Sequence, residues 1–158
     1  MDLTHIHPMI VHFPIALLIV GFLTDILGLL TKREFFTQAG FYMLILGALG
    51  VIAAYLSGEQ AGGGISEQGA LKQALETHED AATLSIWITS IAAAFRIALV
   101  RFKKYKGALK VVSLVLFFLA VGSIARTGYY GGELVFKHAA GVELDLGFDF
   151  NFDENTDD

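Results

Sequence analysis

The chain has 158 residues, 54% of them hydrophobic and 17% charged, with a formal net charge of −5 and no cysteine. Its mean hydropathy is +0.59, whereas an ordinary soluble domain is about a quarter charged and no more than half apolar. This composition excludes disulfides, thiolate metal sites and thiol nucleophiles, argues against a nucleic-acid partner, and describes a membrane protein with room for one core.

A helix needs about 20 mostly apolar residues to cross a hydrocarbon layer, and four stretches supply them. The first runs from about Met9 to Leu30. Pro8 suits a first helical position, which puts His7 at the mouth of the span; His12 lies about 7.5 Å deeper. Pro14 lacks a backbone donor and predicts a kink beside His12. No basic segment precedes this span and no small-residue cleavage site follows it, so it reads as a span and not as a signal peptide. The second runs from about Phe35 to Ser57. Glycines seven apart, Gly21 and Gly28 in the first span and Gly40 and Gly47 in the second, share nearly one helix face each and predict close contact.

From Gly58 to Glu79 the sequence opens GEQAGGG and predicts a long flexible loop, with Thr77 or Asp80 capping the next helix. The third span runs from about Ala81 to Val100, with Arg96 expected at the membrane edge, snorkelling. The fourth runs from about Ala108 to Ile124. The glycines of TGYYGGEL then predict an exit from helix and a reversal that folds His138 back over the bundle mouth. From Val142 to Asp153 apolar residues alternate strictly with mostly acidic ones, a β-strand pattern with one acidic face. Such a strand needs a partner: a second copy, another protein, or the bundle's own outer loop. The expected organisation is a transmembrane domain at 1–141 and an acidic tail at 142–158.

Basic residues are retained on the cytoplasmic side. Lys32 and Arg33 separate the first two spans, and Arg96, Arg101, Lys103, Lys104, Lys106 and Lys110 cluster around the connection between the last two. Only Lys72, Arg126 and Lys137 fall on the other side, together with fourteen of the sixteen acidic residues. The expectation is an all-α, up-down four-helix bundle in a bacterial inner membrane, with both termini periplasmic.

All five histidines, His5, His7, His12, His78 and His138, then fall on the outer half. Imidazole is the commonest metal ligand and the usual axial ligand of b-type haem iron. His12 is the deepest and is expected to face inward, with His78, His138 and His7 as its partners. His7 and His12 are about 140° apart on a regular helix, so they share one centre only if the helix is distorted. Arg126 suits either a haem propionate or a neighbouring carboxylate. Glu59 and Glu79 suit metal binding, histidine orientation or simple solvated helix ends. Phe13, Phe35, Phe36, Phe41, Phe95, Phe117 and Phe118 serve either as walls of a porphyrin slot or as ordinary packing.

HPMIVHFPIALL at residues 7–18 and GYYGGELVFKHAAGV at 128–142 resemble a family of bacterial membrane proteins known as domain of unknown function 2231. The shared features are His7, Pro8, His12, Phe13 and Pro14; Gly58, Glu59 and Ala61; His78; and Gly131, Gly132, Leu134, Val135, His138, Gly141 and Val142. Ala139 stands where the pattern usually has glycine. The resemblance implies a four-helix domain similar in architecture to small b-type cytochromes. It brings no activity with it, but it selects the same histidines.

The functional expectation is haem b held by His7, His12, His78 and His138 near the periplasmic face. Electrons would pass between a quinol or other membrane donor and a periplasmic protein. The rival readings are a haem-free Cu, Zn or Fe site on the same histidines, histidines serving as polar anchors or as a proton relay, and an anchor subunit of a larger assembly that docks or self-associates through its tail.

Overall fold

A computed structural model describes residues 6–62 and 69–140. His5 and the alternating segment from Val142 lie outside these residues. Four helices account for nearly all of the described chain: α1 (Ile6–Thr31), α2 (Glu34–Gly62), α3 (Gly69–Arg101) and α4 (Gly107–His138). All four are long and apolar enough to cross a membrane. With the backbone donors and acceptors of their interiors paired within the helix, such segments are one of the few structures hydrocarbon tolerates.

The α1–α2 turn is Lys32 and Arg33, and the α3–α4 turn is Phe102 to Lys106. Lys32 and Lys103 adopt left-handed conformations, φ 57° and 56°, that end the helices before them. Connections this short join antiparallel neighbours. The result is two helical hairpins, α1 with α2 and α3 with α4. The hairpins pack through the lighter α2–α3 and α1–α4 faces.

The inward residues recur at steps of three, four or their sum. On α1 they are Pro14, Leu18, Gly21, Asp25 and Gly28; on α2, Gly40, Leu44, Gly47, Val51 and Ala54. On α3 they are Ala81, Ser85, Thr89, Ala92, Arg96 and Leu99, and on α4 Ser113, Phe117, Ala120, Ile124, Thr127 and Leu134. This is the seam of a left-handed bundle. The contiguous core is Leu18, Leu44, Ala48, Val51, Ala92, Ala93, Phe117, Ala120 and Ile124. Phe22 meets Phe117 edge to face, with centroids 5.7 Å apart.

The glycine pairs fulfil the expected close contact. A Cβ on Gly40 would lie 2.9 Å from Asp25 Cβ, and one on Gly47 2.8 Å from a Leu18 methyl carbon. Small residues thus let α1 and α2 approach where the hydrophobic effect gives no drive between them.

Two expected breaks are helix instead. Most of Gly58–Glu79 belongs to α2 or α3, because EQAG and GALKQALETHED consist mainly of strong helix formers. Thr77 is therefore interior, donating its hydroxyl to the Gln73 carbonyl, and neither it nor Asp80 is a cap.

TGYYGGEL also stays helical, because the intrahelical bonds outweigh about 1 kcal/mol lost at each glycine. α4 ends instead at Ala139, whose left-handed φ of 49° directs its N–H to the Val135 carbonyl and that of Ala140 to Leu134. That is a left-handed stop, a position that favours glycine. His138 accordingly ends a continuous helix and does not fold back over the bundle.

Candidate functional site

Polar side chains enter the bundle at two levels. At the histidine end, His7 stands on the first turn of α1. Its Nδ1 lies 2.9 Å from Ser57 Oγ on α2. The single Ser57 hydroxyl proton goes to the Ala54 carbonyl, 2.9 Å away, so the oxygen accepts from His7 Nδ1–H. On α3, His78 Nδ1 lies 3.2 Å from the Thr127 carbonyl on α4, which can only accept. Both imidazoles therefore carry their proton on Nδ1 when neutral, leaving the Nε2 lone pair for another partner.

Two glycines shape this level. A Cβ on Gly58 would come 3.0 Å from His7 Cε1, and one on Gly131 3.2 Å from His78 Cε1. Each ring lies against bare backbone of the next helix. Ser85 Oγ bonds Thr127 Oγ1 at 2.8 Å, fixing α3 to α4 one level deeper. His7 and His78 are both half-buried and close enough for a charge on one to be felt by the other.

His12 is placed differently. It lies outside the seam, exposed, with Nδ1 turned back to the Pro8 carbonyl of its own helix. The 140° step from His7 explains this: with His7 facing the bundle, His12 faces away. Pro14 is buried against Gly50 within a continuous α1 and does not bring the two rings together. His138 is eleven residues beyond Thr127, about 16 Å further along α4. The structure thus places His7 and His78 at the same end of the bundle, each turned to a neighbouring helix, and leaves His12 and His138 apart from them.

Among the described residues no three His, Asp or Glu side chains converge as a metal-holding group. Arg126 is exposed, its guanidinium 5.4 Å from the centre of the Tyr130 ring. Glu59 and Glu79 are exposed too. Of the phenylalanines, Phe117 is core, while Phe13, Phe35 and Phe118 are largely exposed.

The second level lies toward the basic end and contains residues to which the sequence reading gave no role in a site. Arg96 does not snorkel. It is 1% exposed and Asp25 is 0%. Its two terminal nitrogens each bond one Asp25 oxygen at 3.0 Å. Nη1 also reaches Ser113 Oγ at 3.2 Å. The guanidinium carbon sits 3.5 Å from the centre of the Tyr105 ring. Burial pushes the Tyr105 phenol above its usual range, so it stays neutral at physiological pH. Arg96 Nε and the Tyr105 hydroxyl are buried without a hydrogen-bond partner among the described residues.

This bidentate pair joins α1 to α3, with Ser113 of α4 and the α3–α4 turn completing the enclosure. The signal for it was the seam itself. Asp25 follows Gly21 by four and precedes Gly28 by three, and Arg96 continues the small-residue stripe of Ser85 and Ala92.

The model of a family described as a predicted membrane protein, DUF2231, matches residues 4–144. Comparison with curated proteins finds no match, and neither does comparison with solved structures.

Proposed function

The chain belongs to that family of predicted membrane proteins, and we propose that it binds one haem b between α1 and α3 through Nε2 of His7 and Nε2 of His78. The observation that carries this reading is the matched pair of Nδ1 hydrogen bonds, to Ser57 and to the Thr127 carbonyl. A histidine that ligates metal nearly always donates its other ring N–H to such an acceptor, which fixes the tautomer and raises ligand basicity.

Ligand number favours haem over a bare ion. Haem iron takes two protein ligands at most, whereas zinc sites take three or four; two half-buried imidazoles stand at this end of the bundle, and no group of three His, Asp or Glu side chains is present among the described residues. Bound haem supplies one-electron oxidation and reduction at iron.

The chain's own part is to hold both imidazoles in the ligating tautomer, to leave them room beside Gly58 and Gly131, and to present them at one end of the bundle. Arg126, next to Thr127 on α4, is the cation we assign to a propionate. The excess of basic residues at one end supports a cytoplasmic basic end and a periplasmic histidine end in a bacterial inner membrane. Electrons would then pass from a membrane donor such as quinol to a periplasmic protein. His12 and His138 are outside this ligand set.

The test is the absorbance spectrum of the intact protein purified from membranes of cells supplied with haem precursor. A sharp Soret band with α and β bands on reduction is the expected result. A colourless preparation holding stoichiometric copper, zinc or iron overturns haem in favour of a bare ion. One holding neither, with a stable co-purifying partner, favours an anchor subunit.

A further inference from the structure

At the basic end, the two hairpins leave a cleft of about 460 Å³ lined by Gly28, Leu29, Lys32, Glu34, Thr37, Tyr105 and Lys110. We propose that this cleft binds the phosphate headgroup of an anionic phospholipid, held between the ammonium groups of Lys32 and Lys110. The inference is independent of the haem reading, since it concerns the opposite end of the bundle.

Three observations carry it. Lys32 comes from the α1–α2 turn and Lys110 from the first turns of α4, so the cleft draws one cation from each hairpin. Neither is in an ion pair among the described residues. Of the other charged groups at this level, Arg96 is already matched by Asp25 behind the Tyr105 ring, and Glu34, whose carboxylate accepts from Gln38 at 3.0 Å, offsets one of the two lysines and leaves the lining with one positive charge in excess.

Lys110 is also poorly placed for its own helix. α4 has no acidic residue in its first turn, and a cation near a helix N-terminus opposes the macrodipole. The Lys110 ammonium stands 5.6 Å from the centre of the Tyr105 ring, which keeps it at the cleft, where an anion would offset the unfavourable helix position.

The walls distinguish a lipid from a free anion. Leu29, 43% exposed, gives the cleft an apolar side, and the partly buried Ile26 and Phe22, three and seven residues earlier on nearly the same face of α1, continue it. A phosphate joined to acyl chains would satisfy both the lysines and this surface; inorganic phosphate would satisfy only the lysines. Basic pockets between transmembrane helices are a recurrent way of holding anionic headgroups.

The test uses the full-length protein in neutral detergent, titrated with phosphatidylglycerol and read by native mass spectrometry. Phosphatidylcholine of the same chain length and inorganic phosphate are run in parallel. The expected result is one saturable phosphatidylglycerol adduct, weakened about tenfold or more in the K32Q/K110Q variant. It should stay within about twofold in K104Q/K106Q, which loses the same charge outside the cleft.

Equal weakening by both double variants would overturn the site in favour of a diffuse basic rim. Equal binding of phosphatidylcholine would overturn charge recognition. Inorganic phosphate binding as tightly as the lipid, with the same dependence on Lys32 and Lys110, would overturn the lipid as occupant. Circular dichroism of each variant checks that the bundle is intact.

Discussion

Arg96 donates two hydrogen bonds to the Asp25 carboxylate, both side chains being buried, and such a pair behaves asymmetrically under mutation. Removing one partner leaves the other charge buried and alone, at a cost of about 3–5 kcal/mol, whereas replacing both with apolar residues is often close to neutral. Asp25→Ala and Arg96→Ala should each lower the denaturation midpoint sharply in detergent unfolding, while the Asp25→Leu/Arg96→Leu double variant recovers most of the loss. A double variant as unstable as the sum of the singles would mean that the pair does more than balance itself. Arg96→Lys should also be costly, since a point charge cannot make the paired contact or stack on Tyr105.

The seam made this pair legible, because Asp25 shares a face with Gly21 and Gly28. What hid it was treating Arg96 as an edge residue on the strength of its charge alone. Five residues from the end of α3, about 7.5 Å, a long side chain has the choice of snorkelling or pairing, and the partner on α1 decides. His7 follows the same arithmetic. Stepping back by seven from Gly28 through Gly21 and Pro14 reaches His7, not His12. Depth suggested His12; the register of the seam selected His7.

At the scale of the elements, α1 and α2 are bound by absence of side chain. Gly40→Ala would force its Cβ against Asp25 Cβ and the Gly21 carbonyl, at 2.9 and 3.0 Å. Overpacking of that kind costs about 1–3 kcal/mol. Gly122→Ala on α4, where nothing lies within 4 Å, should be neutral or slightly stabilising. Comparing the two by thermal unfolding in one detergent separates packing from helix propensity; equal effects would refute the packed seam.

Helix ends were harder to read than helix faces. Glycine clusters suggested exits at Gly58 and at Gly128–Gly132. Yet a glycine inside a helix is a modest penalty, and at Gly131 it is where His78 comes to rest. The true stop of α4 carries an alanine in a left-handed conformation. Relieving that strain is worth about 1–2 kcal/mol, less the greater backbone entropy of glycine. Ala139→Gly should therefore stabilise the end of α4 by about 0.5–1 kcal/mol, measurable as slower amide hydrogen exchange over Val135 to Ala140. Faster exchange would contradict the left-handed stop.

For the whole molecule, four helices of 26, 29, 33 and 32 residues reach about 39–50 Å, against roughly 30 Å of hydrocarbon. The count and order of spans were plain from hydropathy, since nothing but a helix hides so long an apolar run from lipid. The reach beyond the membrane was not, because EQAG and ALKQALETHED are polar enough to pass for loop.

Orientation rests on charge. The natural absence of cysteine makes it directly measurable. A single cysteine at Lys104 should be shielded from a membrane-impermeant maleimide applied to cells, and one at Glu76 labelled. The reverse pattern would place the histidines in the cytoplasm.

The central claim is that His7 and His78 form one ligand pair by virtue of their register and tautomers. Its most direct test compares the reduced and oxidised absorbance spectra of the intact protein with those of His7→Ala, His78→Ala, His12→Ala and His138→Ala. The first two variants should each lose the haem or turn its spectrum high-spin, and the last two should keep the parent spectrum. Loss of the signal in His12→Ala or His138→Ala, with His7→Ala or His78→Ala unchanged, would contradict the account.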